Sequence, residues 1–354
     1  MDNIICCIDV DSNSLHLQQF YLGLVELVKQ DKITLNYRFT SSCKNVNVPS
    51  SVQKSIAKLN VNDCVVVFDM ADSALIQQEY LDSCDFYFKR SFSIKHISQY
   101  RGAEKVKPYG LNYLVFPDNV VLFNVMRACN FIRSGEWIKQ IIRSLDIYNK
   151  LQYSPRLADI QDQPKPDLEP NVLFLARSWD ESSDEHLELT IEEKIDRVSI
   201  NEVRAECVRQ LRKEFGSRFT GGLIPTPHAK KYYADCLVSN ATLTLKRNYI
   251  NLVKQHSICV STTGLHGSIG WKFGEFIALS KAIVSEPLCY EVPGSLKHGE
   301  NLLVFEHPDK CVEQVGMLMD SADLRRKLMI NNHNYYKNFL KPDVLVLNAL
   351  KQVL

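Results

Sequence analysis

The chain has 354 residues, 45% of them hydrophobic and 23% charged, with 42 basic against 41 acidic side chains and a net charge of +1. That length exceeds one ordinary core and predicts two domains. The near-neutral balance excludes a general nucleic-acid binder, which needs a strong positive field. The 11 cysteines are scattered apart from Cys6–Cys7 and follow neither C-x-x-C nor zinc spacing, so they read as small buried hydrophobes of a reducing compartment. "MDNIICCIDV" lacks the basic start of a signal peptide, and no apolar run nears the roughly 20 residues of a membrane span, which places the protein in the cytoplasm.

In the first half, "IICCIDV", "CVVVFD", "DFYFKR" and "YLVF" read as strands, and "LHLQQFYLGLVELVKQ" and "GEWIKQIIRSLDIYNKL" as amphipathic helices. The stretch Trp137 to Tyr153 carries basic flanks on an apolar stripe. It suits a core-facing helix, or an interfacial one giving peripheral contact with the inner membrane. Residues 154–170 hold four prolines in a mostly polar setting and form a linker. The second half gives the strands "NVLFLAR", "GGLIPT", "SICVST", "AIVSE" and "NLLVFE". Between them lie the helical stretches "TIEEKIDRVSINEVRAECVRQLRKEF" (one helix or two), "WKFGEFIALS" and "PDKCVEQVGMLMD". The tail is helical, with a break at Pro342.

Strands alternating with helices predict parallel sheets with covered faces. The reading is α/β, with two doubly wound domains facing across a cleft: a first domain over 1–153, the linker 154–170, a second domain over 171–341, and a helix over 342–354 that crosses back to the first domain.

Parallel strands deliver their C-terminal ends to one edge, where ligands bind. In the second half that edge collects Arg177, the loop Thr262 to Gly270 with Thr263, Gly264, His266 and Gly270, then Lys272, Glu275 and Glu286. Glycine lets a backbone approach a ligand closely, and a helix N-terminus offers free N–H groups to an anion. Arg177, Lys272 and Lys246 can therefore hold a diphosphate while Glu275 accepts hydrogen bonds from two ribose hydroxyls. On the plainer account, Lys272 and Glu275 are a surface ion pair and the glycines only shape a turn. In the first half, Asp69 and Asp72 follow one strand as candidate general bases, with Asp72 also able to cap a helix. Lys89 and Arg90 follow another as acceptor-binding cations. His16 reads as structural.

These residues carry a resemblance. "CVSTTGLHGSIGWKFGEFIALSKAIVSE" and the run "YEVPGSLKHGENLLVFEHPDKCVEQVGMLMDSADLRRKLM" resemble the donor domain of GT-B glycosyltransferases, whose domains are Rossmann-like, over about Asn171 to Asn334. The resemblance implies that 171–341 is the donor domain and 1–153 the acceptor-binding domain, that Glu275 binds the ribose and that Arg177 and Lys272 face the diphosphate. Two departures stand out. Gly267 occupies the position where many retaining members carry a second glutamate, and no glycine-rich loop follows the first strand. "FKRS…YGLNY" is similar to bacterial surface-polysaccharide transferases, of the lipopolysaccharide and capsule kind.

The implied activity is a metal-independent hexosyl or related transfer from a nucleotide sugar to a glycan or lipid-linked acceptor, with no cofactor beyond that co-substrate. "DVD" at Asp9 to Asp11 fits a metal motif in letters alone. Two other classes stand beside this one: a non-catalytic GT-B-like scaffold of a polysaccharide-assembly complex, and a sugar-nucleotide epimerase.

Overall fold

Most of the apolar runs do become strands, and they assemble into two separate sheets, of six and five strands among the described residues. The structure is a computed structural model and describes residues 4–9, 14–38, 54–116, 155–182 and 189–354. The chain divides into two units. One comprises Met1–Ile160, Glu291–Gly294 and Lys337–Leu354; the other comprises Gln161–Tyr290 and Ser295–Tyr336. The Trp137 to Tyr153 helix and residues 10 and 11 of "DVD" lie outside the described residues.

The first unit contains β1 (Ile4–Asp9), β2 (Ile33–Arg38), β3 (Ile56–Val61), β4 (Cys64–Asp69), β5 (Phe86–Lys89) and β6 (Val106–Pro108), in the order β2-β1-β3-β4-β5-β6. This sheet is mixed rather than wholly parallel, because β3 runs against both of its neighbours. Only two residues, Asn62 and Asp63, connect β3 to β4, and so short a connection must return antiparallel. Asn62 takes the left-handed conformation (φ 50°) that such a turn favours. The expected strand "YLVF" does not form. Its backbone donors go elsewhere: Tyr113 N to Gln19 Oε1 at 3.3 Å and Phe116 N to Pro155 O at 2.9 Å. Helix α1 (Gln18–Lys29) lays Phe20, Tyr21, Leu24 and Leu27 against the sheet, with the Phe20 and Phe68 rings 4.4 Å apart. Two short helices follow, α2 (Gln78–Asp82) and α3 (Ile94–Ile97).

The second unit is fully parallel, with β7 (Val172–Ala176), β8 (Phe219–Leu223), β9 (Ile258–Ser261), β10 (Ala282–Ser285) and β11 (Leu302–Val304) in the order β11-β10-β9-β7-β8. β7, β9 and β10 are buried along their whole length, as continuous β-branched and apolar runs require. The long helical stretch is one helix, α4 (Ile191–Phe215). Its start is fixed by a capping box: Thr190 Oγ1 accepts from Glu193 N, and Glu193 Oε2 accepts from Thr190 N. Helices α5 (Pro227–Tyr232), α6 (Lys246–Gln255), α7 (Trp271–Ala278), α8 (Pro308–Asp320) and α9 (Ala322–Tyr335) complete the unit. The proline-rich segment is tied to it: Asp162 N donates to Ala278 O, and Ser280 Oγ to Asp162 O.

The last helix, α10 (Pro342–Leu350), belongs to the first unit, where Leu345, Val346, Ala349 and Leu350 enter the core beside α1. The two helices meet at Gly23. A methyl there would overlap the Pro342 carbonyl oxygen and stand 2.5 Å from Val346 Cγ2. Among the described residues no helix is long and apolar enough to cross a membrane. Cys6, Cys84, Cys207, Cys236, Cys259 and Cys311 are buried free thiols, and Cys289 is exposed.

Candidate functional site

The winding of the second sheet reverses between β7 and β9, and a doubly wound sheet opens a crevice at such a point. Arg204, projecting from α4, bridges it. Its Nη1 donates to Arg177 O after β7 at 2.5 Å; after β9, its Nε donates to Thr262 Oγ1 at 2.9 Å and its Nη2 to Thr263 O at 2.7 Å. Burial lowers its pKa to about 10, with the Glu286 and Asp196 charges opposing. Glu286 holds the same loop from the β10 side, its Oε2 accepting from Thr263 N at 2.7 Å and Thr263 Oγ1 at 3.1 Å.

The glycine loop is pinned largely through its backbone. Gly264 N donates to Ser268 O at 2.8 Å, and His266 adopts φ 60°, a conformation a side chain resists. His266 stays there because its amide donates to Asp196 Oδ2 at 3.3 Å and its carbonyl accepts from Tyr290 Oη at 2.5 Å; its own side chain is exposed. Gly270 is the N-cap of α7 with an ordinary φ of −66° and open space around its Cα.

Glu275 lies on α7 and is 1% exposed. It is not a surface ion pair with Lys272. Its Oε1 accepts from Lys246 Nζ, reaching over from α6, while Oε2 has no partner within hydrogen-bond distance. The buried Tyr249 hydroxyl is the donor next to that carboxylate. Burial first, then Glu275, push its pKa well above the ordinary phenol value. The Tyr249 ring also takes both lysines on its face, with Lys246 Nζ 5.1 Å and Lys272 Nζ 5.4 Å from the centroid. Lys272 Nζ donates to Leu175 O on β7. Burial, then Arg204, lower its pKa to about 7, against the pull of Glu275.

No family model and no curated protein sequence matches the chain. Solved structures with a similar course of the chain include a variant of S. aureus TarM in complex with Fondaparinux, alpha-GlcNAc-glycerol and UDP (11% identity, 77% of this chain and 45% of that one, TM-score 0.43). Anabaena HepE in complex with UDP and glucose is another (9% identity, 98% of each chain, TM-score 0.42). A third is the UDP-GlcNAc 2-epimerase of Neisseria meningitidis bound to UDP-GlcNAc (14% identity, 98% of this chain and 74% of that one, TM-score 0.40). The chain thus spans less than half the length of TarM.

The structure gathers Lys246 and Lys272 around the buried Glu275 in one charge cluster, and Thr263, Gly264 and Glu286 into one braced loop. Arg177 is exposed, its guanidinium carbon 4.8 Å from the centroid of the Trp179 ring. In the first unit Asp69 and Lys89 are paired with each other at 2.8 Å, both fully buried. Asp69 Oδ2, which pairs with Lys89, also accepts from Tyr87 Oη at 2.5 Å, and Oδ1 accepts from Ala71 N at 2.9 Å, so Asp69 meets no solvent here and Lys89 offers no free charge. Asp72 pairs with Arg90 while 45% of its side chain stays exposed; it caps no helix, since α2 starts at Gln78. His16 stands 3.3 Å from Arg90 Nη1, its pKa lowered by burial. Sequence reasoning missed Arg204 and Tyr249. Both are polar residues set on the buried stripe of an amphipathic helix, which was the available signal.

Proposed function

We propose that the second unit binds a nucleoside diphosphate sugar along the C-terminal edge of its sheet, and that the protein transfers the sugar to a hydroxyl of a glycan or lipid-linked acceptor. One observation carries this reading: on the helix that follows the glycine loop, a carboxylate oxygen, Glu275 Oε2, is buried with only the Tyr249 hydroxyl as a neighbouring donor and no hydrogen bond closed at full geometry. Buried acceptors are normally satisfied, and a vicinal diol such as ribose supplies the donors this one lacks. Lys246, 27% exposed at its side chain, can swing from Oε1 to a phosphate, and Arg177 supplies a second exposed cation. In this reading the leaving diphosphate is neutralised by these side chains, without a metal at that step. In the first unit Asp72 is the better proton acceptor than Asp69, because only Asp72 reaches solvent. The similarity of "FKRS…YGLNY" to surface-polysaccharide transferases sets the acceptor class proposed.

Calorimetric titration with UDP, GDP, ADP and CDP tests the site. One nucleotide should bind, and Glu275→Gln should weaken it roughly 10- to 100-fold, the worth of a charged hydrogen bond. Absence of binding by all four, or equal affinity in the variant, would overturn the reading. Product analysis with the matching nucleotide sugar then separates a transferred sugar from an epimerised one, and binding without turnover marks the scaffold.

A further inference from the structure

A second cluster stands on the same sheet edge, on the β8 side of β7. Asp180 and Glu181 follow β7, and His228 sits in the first turn of α5, after β8. One carboxylate oxygen from each acid and an imidazole nitrogen lie within 4.8 Å of one another. We infer that these three side chains form a binding site for a divalent transition-metal cation.

Three points support it. The donor set mixes one imidazole with two carboxylates, the chemistry of borderline first-row cations, and its two negative charges match a divalent ion. The histidine is oriented from behind: His228 Nδ1 meets Ser178 Oγ at 3.2 Å, and Ser178 Oγ meets Thr226 Oγ1 at 3.2 Å. With Nδ1 so engaged, Nε2 is turned to the acids and lies 2.7 Å from Glu181 Oε2; outer partners of this kind fix the tautomer of metal-ligating histidines. Finally, the ring is buried beside Tyr232 and Tyr233 while Glu181 keeps 34% of its side chain exposed, which gives a rigid inner ligand and an open entry. Bond lengths of about 2.1 Å set tetrahedral ligand atoms about 3.4 Å apart, so Nε2 and Glu181 Oε2 open slightly from 2.7 Å to admit an ion. Asp180 Oδ1 also accepts from Ser182 N and Oγ, and Asp180 O accepts from Arg197 Nη1, so the segment carrying the acids is held at several points. Three protein ligands leave coordination positions for water or for an anionic oxygen. These residues share no hydrogen bond or ion pair with Glu275, whose partner is Lys246.

The test is cobalt uptake by the full chain after stripping with chelator. Wild type should take up one equivalent of Co2+ with visible d–d bands of nitrogen and oxygen ligation, and Zn2+ should displace it. His228→Ala should abolish uptake, Glu181→Gln should weaken it by at least roughly 10-fold, and Ser178→Ala by roughly 10- to 100-fold. Zn2+ should raise the melting temperature of wild type but not of Glu181→Gln, a substitution at a half-exposed position that serves if His228→Ala does not fold. No uptake at millimolar cobalt, equal uptake by wild type and Glu181→Gln, or sulfur-to-cobalt charge transfer placing the ion on cysteine would overturn the assignment.

Discussion

Replacing Lys246 with methionine tests the buried pair at its weak end. Glu275 is 1% exposed and its Oε2 already lacks a partner, so the variant leaves a buried carboxylate with neither of its oxygens matched by a cation. Removing one partner of a buried ion pair costs about 3–5 kcal/mol. Lys246 is 27% exposed, so water can approach through the gap, and the expectation falls to about 2–3 kcal/mol. For a unit of this size that is a drop of roughly 5–10 °C in melting temperature. The assay is thermal and urea unfolding of wild type, Lys246→Met, Glu275→Gln and the double variant. Once the carboxylate charge is gone, the methionine substitution should cost less than about 1 kcal/mol, giving a coupling of at least about 1 kcal/mol. A melting temperature within about 1 °C of wild type for Lys246→Met, or strict additivity in the double variant, would refute the reasoning.

Two further outcomes follow from the same coordinates. Lys272 has a pKa of about 7 in the folded protein against an ordinary 10.5, so between those values the unfolded chain holds the extra proton and stability rises with pH. The destabilisation from burying this ammonium is therefore largest below about pH 7 and relieved toward 10.5. Lys272→Met should give a shallower rise in urea midpoint from about pH 7 to about pH 10, and parallel curves would contradict the burial argument. Gly23→Ala gains helix propensity yet places its methyl against the Pro342 carbonyl and Val346, and should destabilise the first unit by about 1–3 kcal/mol in equilibrium unfolding. A neutral or stabilising result would mean that α10 shifts freely.

What could be read directly from the residues follows a physical line. "VLFLA", "ICVS" and "AIVS" are buried on both faces, so composition alone marks them as central parallel strands. β2 and β3 were not recognised, because "ITLNYR" and "IAKLNV" interleave apolar and polar residues and carry no continuous apolar run. "YLVF" has a strand's composition, but a glutamine 94 positions earlier takes its first amide, a long-range fact that local pattern cannot hold. The candidate site divides in the same way. Glu275 stands out within its own helix, whereas its partner Lys246 lies 29 positions away on another, and Arg204 is one of many arginines until the crevice it bridges is known. Asp69 and Lys89 each looked available at a strand end, and only the pairing of β4 with β5 reveals that they neutralise each other.

The placement of α10 bears on the order in which the molecule can be made. A growing chain completes the second unit's sequence at Tyr336, while the first unit still waits for the residues from Lys337 onward. Until the ribosome releases them, the face of α1 that receives Val346 stays open to water, so the half synthesised first is the half finished last. Chains that stop before Pro342 should therefore expose the apolar face of α1 that α10 covers in the folded unit.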